Sequence, residues 1–80
     1  MFRYKAEILA QLATHGVMPK PTTPPTTARA AVNEMYRYEL RLLRNRYVLG
    51  EFSKKEYYDK VVEIRHRYPV MGVLTRHWTE

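Results

Sequence analysis

The chain has 80 residues, enough for one small domain and too few for two. Fourteen Lys and Arg against eight Asp and Glu give a formal net charge of +6, and 45% apolar with 28% charged residues place it among globular chains, not disordered ones. The lack of Cys excludes a disulfide framework, a thiolate metal site and a cysteine nucleophile together, and no apolar run approaches the ~20 residues of a membrane span.

Residues 2–15 read as a short helix. Tyr4, Ile8 and Leu12 recur one turn apart, and Gly16 suits the left-handed position after a helix end. The segment Met1-Phe2-Arg3-Tyr4-Lys5 meets Glu7 after only a short apolar stretch and lacks the core of a secretory signal, so the expected location is the cytoplasm. Residues 17–27 form a Pro/Thr-rich linker. Pro19, Pro21, Pro24 and Pro25 oppose helix and favour an extended polyproline path, and Pro21 to Pro24 gives a P-x-x-P match.

Residues 28–49 are the longest predicted helix, with Thr26 or Thr27 as its cap and Gly50 as its stop. Two apolar stripes run along it. One is Val32, Tyr36, Leu40, Leu43 and Tyr47; the other is Ala31, Met35, Tyr38, Leu42 and Leu49. A helix in a two-helix hairpin needs one stripe, so two stripes predict contact on two sides, with the first helix on the second stripe. Residues 53–68 are the third helix. Ser53 and Glu56 have the spacing of a capping box, Phe52 and Tyr57 that of a hydrophobic staple, and Tyr57, Val61, Ile64 and Tyr68 form its core stripe. Pro69 ends it, and residues 69–80 are an apolar arm, either an extended segment lying across the hairpin or one that docks elsewhere, with Val73, Leu74 and Trp78 as candidates for partner binding. The fold class is all-α, a single domain of three helices dominated by an antiparallel hairpin over residues 28–68.

The stretch Leu40 to Ile64 resembles the hairpin of the short C-terminal domain (SHOCT) family. The likeness rests on a Leu-rich helix ending at Gly50, then Glu51-Phe52-Ser53-Lys54-Lys55-Glu56-Tyr57 and a second apolar-periodic helix. This chain is more Arg-rich before the turn and continues beyond Ile64. The resemblance implies a small association or oligomerisation module without catalytic residues.

Arg37, Arg41 and Arg44 fall on one face of the long helix. Guanidinium groups suit bidentate contact with carboxylate or phosphate, so this row is a candidate for an acidic protein surface, for nucleic acid, or for a solvated face part-neutralised by Glu34. Glu39 lies between the two apolar stripes, where a carboxylate needs a partner; Arg46 and Arg65 are the candidates within the chain. His15, His66 and His77 share no ligand spacing, and no Ser-His-Asp set, paired carboxylates or Gly-rich phosphate loop is present. No metal, cofactor or reaction is therefore expected.

A chain this short buries a small core and gains stability from a partner. Seven Tyr, two Phe and one Trp serve either an interface or the chain's own core. The favoured reading is a non-enzymatic, basic helical interaction protein, an accessory subunit, adaptor, assembly factor or oligomerisation module. It binds a larger protein or a second copy through Met35, Tyr38, Leu42, Leu49 and the C-terminal arm. The alternative is nucleic-acid binding through the Arg row.

Overall fold

A computed structural model describes residues 1–80 and is all-α. Its helices are α1 (Ala6–Thr14), α2 (Pro25–Val48) and α3 (Lys54–His66), followed by 3₁₀ turns at Pro69–Gly72 and Thr75–His77. The only sheet-like pairing is an isolated antiparallel bridge between Tyr4 and Thr79.

The helix boundaries follow from local chemistry. α2 begins three residues before the expected position 28, and neither Thr26 nor Thr27 caps it. Pro24 is the cap residue and Pro25 occupies the first turn, where its missing N–H leaves nothing unpaired. Its other end closes tightly: Gly50, at φ +80°, donates to the Tyr47 carbonyl at 2.9 Å and Glu51 donates to the Arg46 carbonyl at 3.1 Å. These two bonds are the Schellman pattern, which needs a left-handed residue after the helix. α1 ends in the same way, with Gly16 at φ +76° donating to Ala13 and Val17 donating to Leu12. At the start of α3 the capping box is complete. Ser53 Oγ accepts from the Glu56 amide and Glu56 Oε1 accepts from the Ser53 amide, both at 3.1 Å. α3 stops at His66, two residues before the expected Tyr68, because Pro69 disfavours helical backbone at the residue before it.

α2 and α3 pack as a helical hairpin. Of the two α2 stripes, the one through Val32, Tyr36, Leu40 and Leu43 faces the core, with Val32 and Leu43 buried. It meets Tyr57, Val61, Ile64 and Tyr68 from the α3 side. Tyr47 and Tyr57 stack at 4.4 Å near the turn. Phe52 lies between the Arg46 guanidinium (4.7 Å) and the Lys60 ammonium (4.9 Å), so each member of the expected staple has another partner.

Three expectations are corrected here. The first helix does not begin at residue 2. Phe2 donates to Pro21, Lys5 to Trp78, and Glu80 back to Arg3, at 2.7–2.9 Å, so residues 2–5 are extended and their backbone groups are satisfied by other segments. α1 does not cover the second stripe of α2. It buries Ile8 and Leu12 and packs on the 3₁₀ turn that follows α3. Of the two readings of the C-terminal segment, the one packed on the chain itself holds, and the docking arm does not. Trp78 is 0% exposed, and its indole N–H donates to the Val73 carbonyl at 2.9 Å. Arg29 of α2 donates to the carbonyls of Val73 (2.9 Å) and Met71 (3.0 Å), with its guanidinium 5.9 Å from the Trp78 ring. Trp78 and the half-buried Val73 are therefore core and not partner-binding; Leu74 alone of the three remains exposed.

Nine residues are buried, all of them apolar or aromatic: Ile8, Leu12, Ala28, Val32, Leu43, Ile64, Tyr68, Val70 and Trp78. The molecule measures 48 × 18 × 16 Å, and its radius of gyration is 14.9 Å, against about 12 Å for a compact chain of this length. The excess is the hairpin, whose far end extends beyond the core that Trp78 and α1 close.

Candidate interaction surface

The second stripe of α2 has no cover. Met35 is 38% exposed, Tyr38 57%, Leu42 45% and Leu49 78%, and Ala31 and Val48 are exposed beside them. An isolated apolar side chain on a surface needs no explanation; a row of this length on one helix is a candidate contact surface. The row follows the seam between α2 and α3, where two hollows lie end to end. The larger, about 600 Å³, is lined by Met35, Tyr38, His15 and Tyr68 among others. The smaller, about 300 Å³, is lined by Leu42, Leu43, Arg46, Lys60 and Ile64 among others. Glu39 and Arg67 border both.

Glu39 is the polar centre of this seam. Its Oε2 accepts from the Tyr68 hydroxyl and its Oε1 pairs with Arg67 Nη2 at 3.0 Å. The expected partners Arg46 and Arg65 are not used. Arg46 turns instead toward Glu51 of the hairpin turn, 3.4 Å away, and so braces the end of its own helix. Arg67 reaches Glu39 because α3 ends at His66 and the chain turns there. Tyr68 is held on three sides. His15 stacks on its ring at 4.2 Å and 5°, Tyr36 meets it edge-on at 5.1 Å, and its hydroxyl is tied to Glu39. Burial, then the hydrogen bond to Glu39, then that carboxylate's charge push its pKa up to about 12, with Arg67 opposing. The phenol is neutral at any ordinary pH, and the network locks α1, α2 and the end of α3 together. It leaves Gln11 Oε1 and His15 Nε2 buried without partners.

Arg37, Arg41 and Arg44 are exposed on the opposite shoulder of the stripe and none forms an ion pair; Glu34 neutralises neither Arg37 nor Arg41. Arg37, Arg41 and Arg44 rim a shallow hollow of about 390 Å³ over Leu40, Tyr57 and Val61. Gly50, Ser53 and Glu56 take the structural positions predicted for them, and the amide of Ser53 lowers the pKa of the Glu56 carboxyl through their hydrogen bond. No group of three or more His, Asp or Glu side chains is placed to hold a metal. No helix is long and apolar enough to cross a membrane.

The structure thus brings Met35, Tyr38 and Leu42 together with a polar lock and a free Arg row, and removes Trp78 and Val73 from the surface. Sequence reasoning missed Arg29 and His15 as parts of the frame. Arg29 carried a readable signal: it lies seven residues before Tyr36 on the core-facing stripe, where a cation must find buried acceptors. His15 carried none, since its stacking partner is 53 positions away in sequence. Comparison of the chain with models of protein families, with curated proteins and with solved structures finds no match to any of them.

Proposed function

We propose that this chain is a non-catalytic, basic helical interaction protein, an accessory subunit, adaptor or assembly factor that acts in the cytoplasm by docking on a protein partner through the outer face of α2. The observation that carries the reading is the uncovered stripe Met35, Tyr38, Leu42 and Leu49. Val73 and Trp78 are spent on the chain's own core, and Leu74 alone of the proposed C-terminal contacts stays exposed. Nine buried residues in 80 make a small core, and covering the stripe adds the burial that such a core lacks. Around Glu39, both carboxylate oxygens are occupied and the neighbouring phenol is held neutral, which suits a structural lock and not proton transfer. The resemblance of residues 40–64 to the SHOCT hairpin points the same way. The unpaired Arg37, Arg41 and Arg44 support a second reading, in which the same helix contacts nucleic-acid phosphates.

A photo-crosslinking amino acid placed at Tyr38, and in a separate variant at the equally exposed Tyr58 of α3, tests the docking face in the cells that make the protein. Discrete crosslinked protein bands from position 38 and not from 58 are expected. No bands, or the same bands from both positions, would remove α2 as a docking surface. Crosslinks to nucleic acid from position 38 would favour the second reading.

A further inference from the structure

Resting on that reading of α2, we infer that the occupant of its outer face is a single acidic amphipathic helix of a partner protein, paired with α2 as in a coiled coil. The spacing carries the first half of the argument. Ala31, Met35, Tyr38, Leu42, Asn45 and Leu49 recur at alternating intervals of four and three residues, the seam period of paired helices. All six are exposed. The core-facing stripe of the same helix packs on α3, and this row runs along the outer edge of that contact, Leu42 lining the groove with Lys60 and Ile64. No Gly or Pro interrupts it, and it runs for roughly 27 Å, about five helical turns. A seam that narrow accepts one helix.

Charge carries the second half. Glu34 and Arg41 flank the seam on one side, and Glu39 and Arg46 flank it on the other. Arg46 pairs with Glu51, and Glu39 is spent on Tyr68 and Arg67. Arg37, Arg41 and Arg44 form no ion pair, and across the groove Lys60 stands beside Glu63, so the charge left free along the seam is mainly basic. A second copy of the chain is a poor occupant in either direction. Side by side in parallel, Arg41 meets Arg46 and Glu34 meets Glu39; antiparallel, Arg41 and Glu39 each meet themselves near the centre. The formal charge of +6 on each chain adds to the repulsion. A helix with apolar seam positions and Glu or Asp beside them meets Arg41, and the unpaired Arg37 and Arg44 behind it, with opposite charge. Asn45, the one polar member of the seam, then fixes the register against a polar residue of the partner.

The test uses the full chain and three synthetic helical peptides of about three heptads. One has Leu at seam positions and Glu beside them; one has Leu and Lys; one keeps the Glu residues and replaces Leu by Ser. Anisotropy of the labelled peptides at near-physiological ionic strength should show the Leu/Glu peptide binding at least about tenfold more tightly than either of the others. Leu42→Glu should weaken it by about tenfold or more and Tyr58→Glu should not, with Trp78 emission and circular dichroism unchanged in both. Arg41→Glu should narrow the preference for the Glu peptide over the Lys peptide. Equal binding of the Leu/Glu and Leu/Lys peptides would overturn the acidic assignment. Equal binding of the Ser peptide would overturn the seam. A dimer in light scattering that Leu42→Glu dissolves would give the face to a second copy, and a duplex oligonucleotide that displaces the Leu/Glu peptide would give it to nucleic acid. Crosslinks from position 38 combined with a failed peptide preference leave the docking reading standing and remove only the acidic helix; the absence of both removes both.

Discussion

Tyr68 shows how much of this small fold depends on single side chains. Its ring is clasped by His15 and Tyr36 and its hydroxyl is tied to Glu39, so one residue joins α1, α2 and the exit of α3. Its folded pKa, about 12, lies above the ordinary value of 10.0. Folding therefore favours the neutral phenol: this contribution is whole below pH 10 and is lost as pH rises through about 12. Burial also raises the Tyr4 pKa, so alkaline titration followed at the tyrosinate absorbance should show late-titrating Tyr absorbance, of which the part near pH 12 disappears in Tyr68→Phe. The fall in stability between pH 10 and 12 should be shallower in that variant than in the wild type. The position itself was readable as the last member of the α3 stripe, but its ionisation was not. That depends on Glu39, 29 residues earlier, and on Arg67 bending back to the same carboxylate.

At the scale of the element, the best-specified features are the ends of the helices, because their chemistry lies within a few residues. Ser53→Ala removes the acceptor for the Glu56 amide and should lower stability by about 1 kcal/mol in chemical denaturation, without changing the fold. Gly50→Ala should also lower it, by about 1 kcal/mol or more. No neighbouring atom crowds an added Cβ there, so the penalty is that of forcing Ala to φ +80°. The outer face of α2 behaves oppositely. Leu42 is 45% exposed, so Leu42→Glu should shift stability by only about 0.5 kcal/mol in either direction while removing binding. A substitution silent in folding and severe in binding separates a docking surface from a core. The two α2 stripes were visible in the sequence as equals. Which one faces inward was decided by α3, whose own stripe meets Val32 and Leu43 and leaves Met35, Tyr38 and Leu42 outside.

The whole molecule is closed by its two ends. Residues 2–5 and 78–80 bond to each other, and the Trp78 side chain fills the space between α1, Arg29 and the 3₁₀ turns. Trp78→Ala removes the largest fully buried side chain and should cost about 3–5 kcal/mol, comparable with the whole stability of a domain this small. Thermal unfolding by circular dichroism should find that variant largely unfolded at room temperature. Arg29→Met should weaken the same clasp less, since it removes the bonds to Val73 and Met71 and keeps the apolar stem.

What the sequence determined by itself was local: three helices, the capping box at Ser53, the left-handed glycines at Gly16 and Gly50, the stop before Pro69, and an excess of apolar surface on α2, though not the starts of α1 and α2. Those features depend on residues within one or two turns of each other, and helical periodicity exposes them directly. Only the tertiary structure decided the contacts between distant segments: the bonding of Lys5 to Trp78, the pairing of Glu39 with Arg67, and the placing of α1 on the turn after α3. Two apolar segments of similar composition, the second α2 stripe and the Val70–Trp78 tail, competed for the same limited interior. The tail took it, since a Trp with a carbonyl for its N–H and an Arg across its ring buries more surface at one point than a row of half-exposed side chains on a straight helix. The stripe was left facing outward, with Met35, Tyr38, Leu42 and Leu49 exposed.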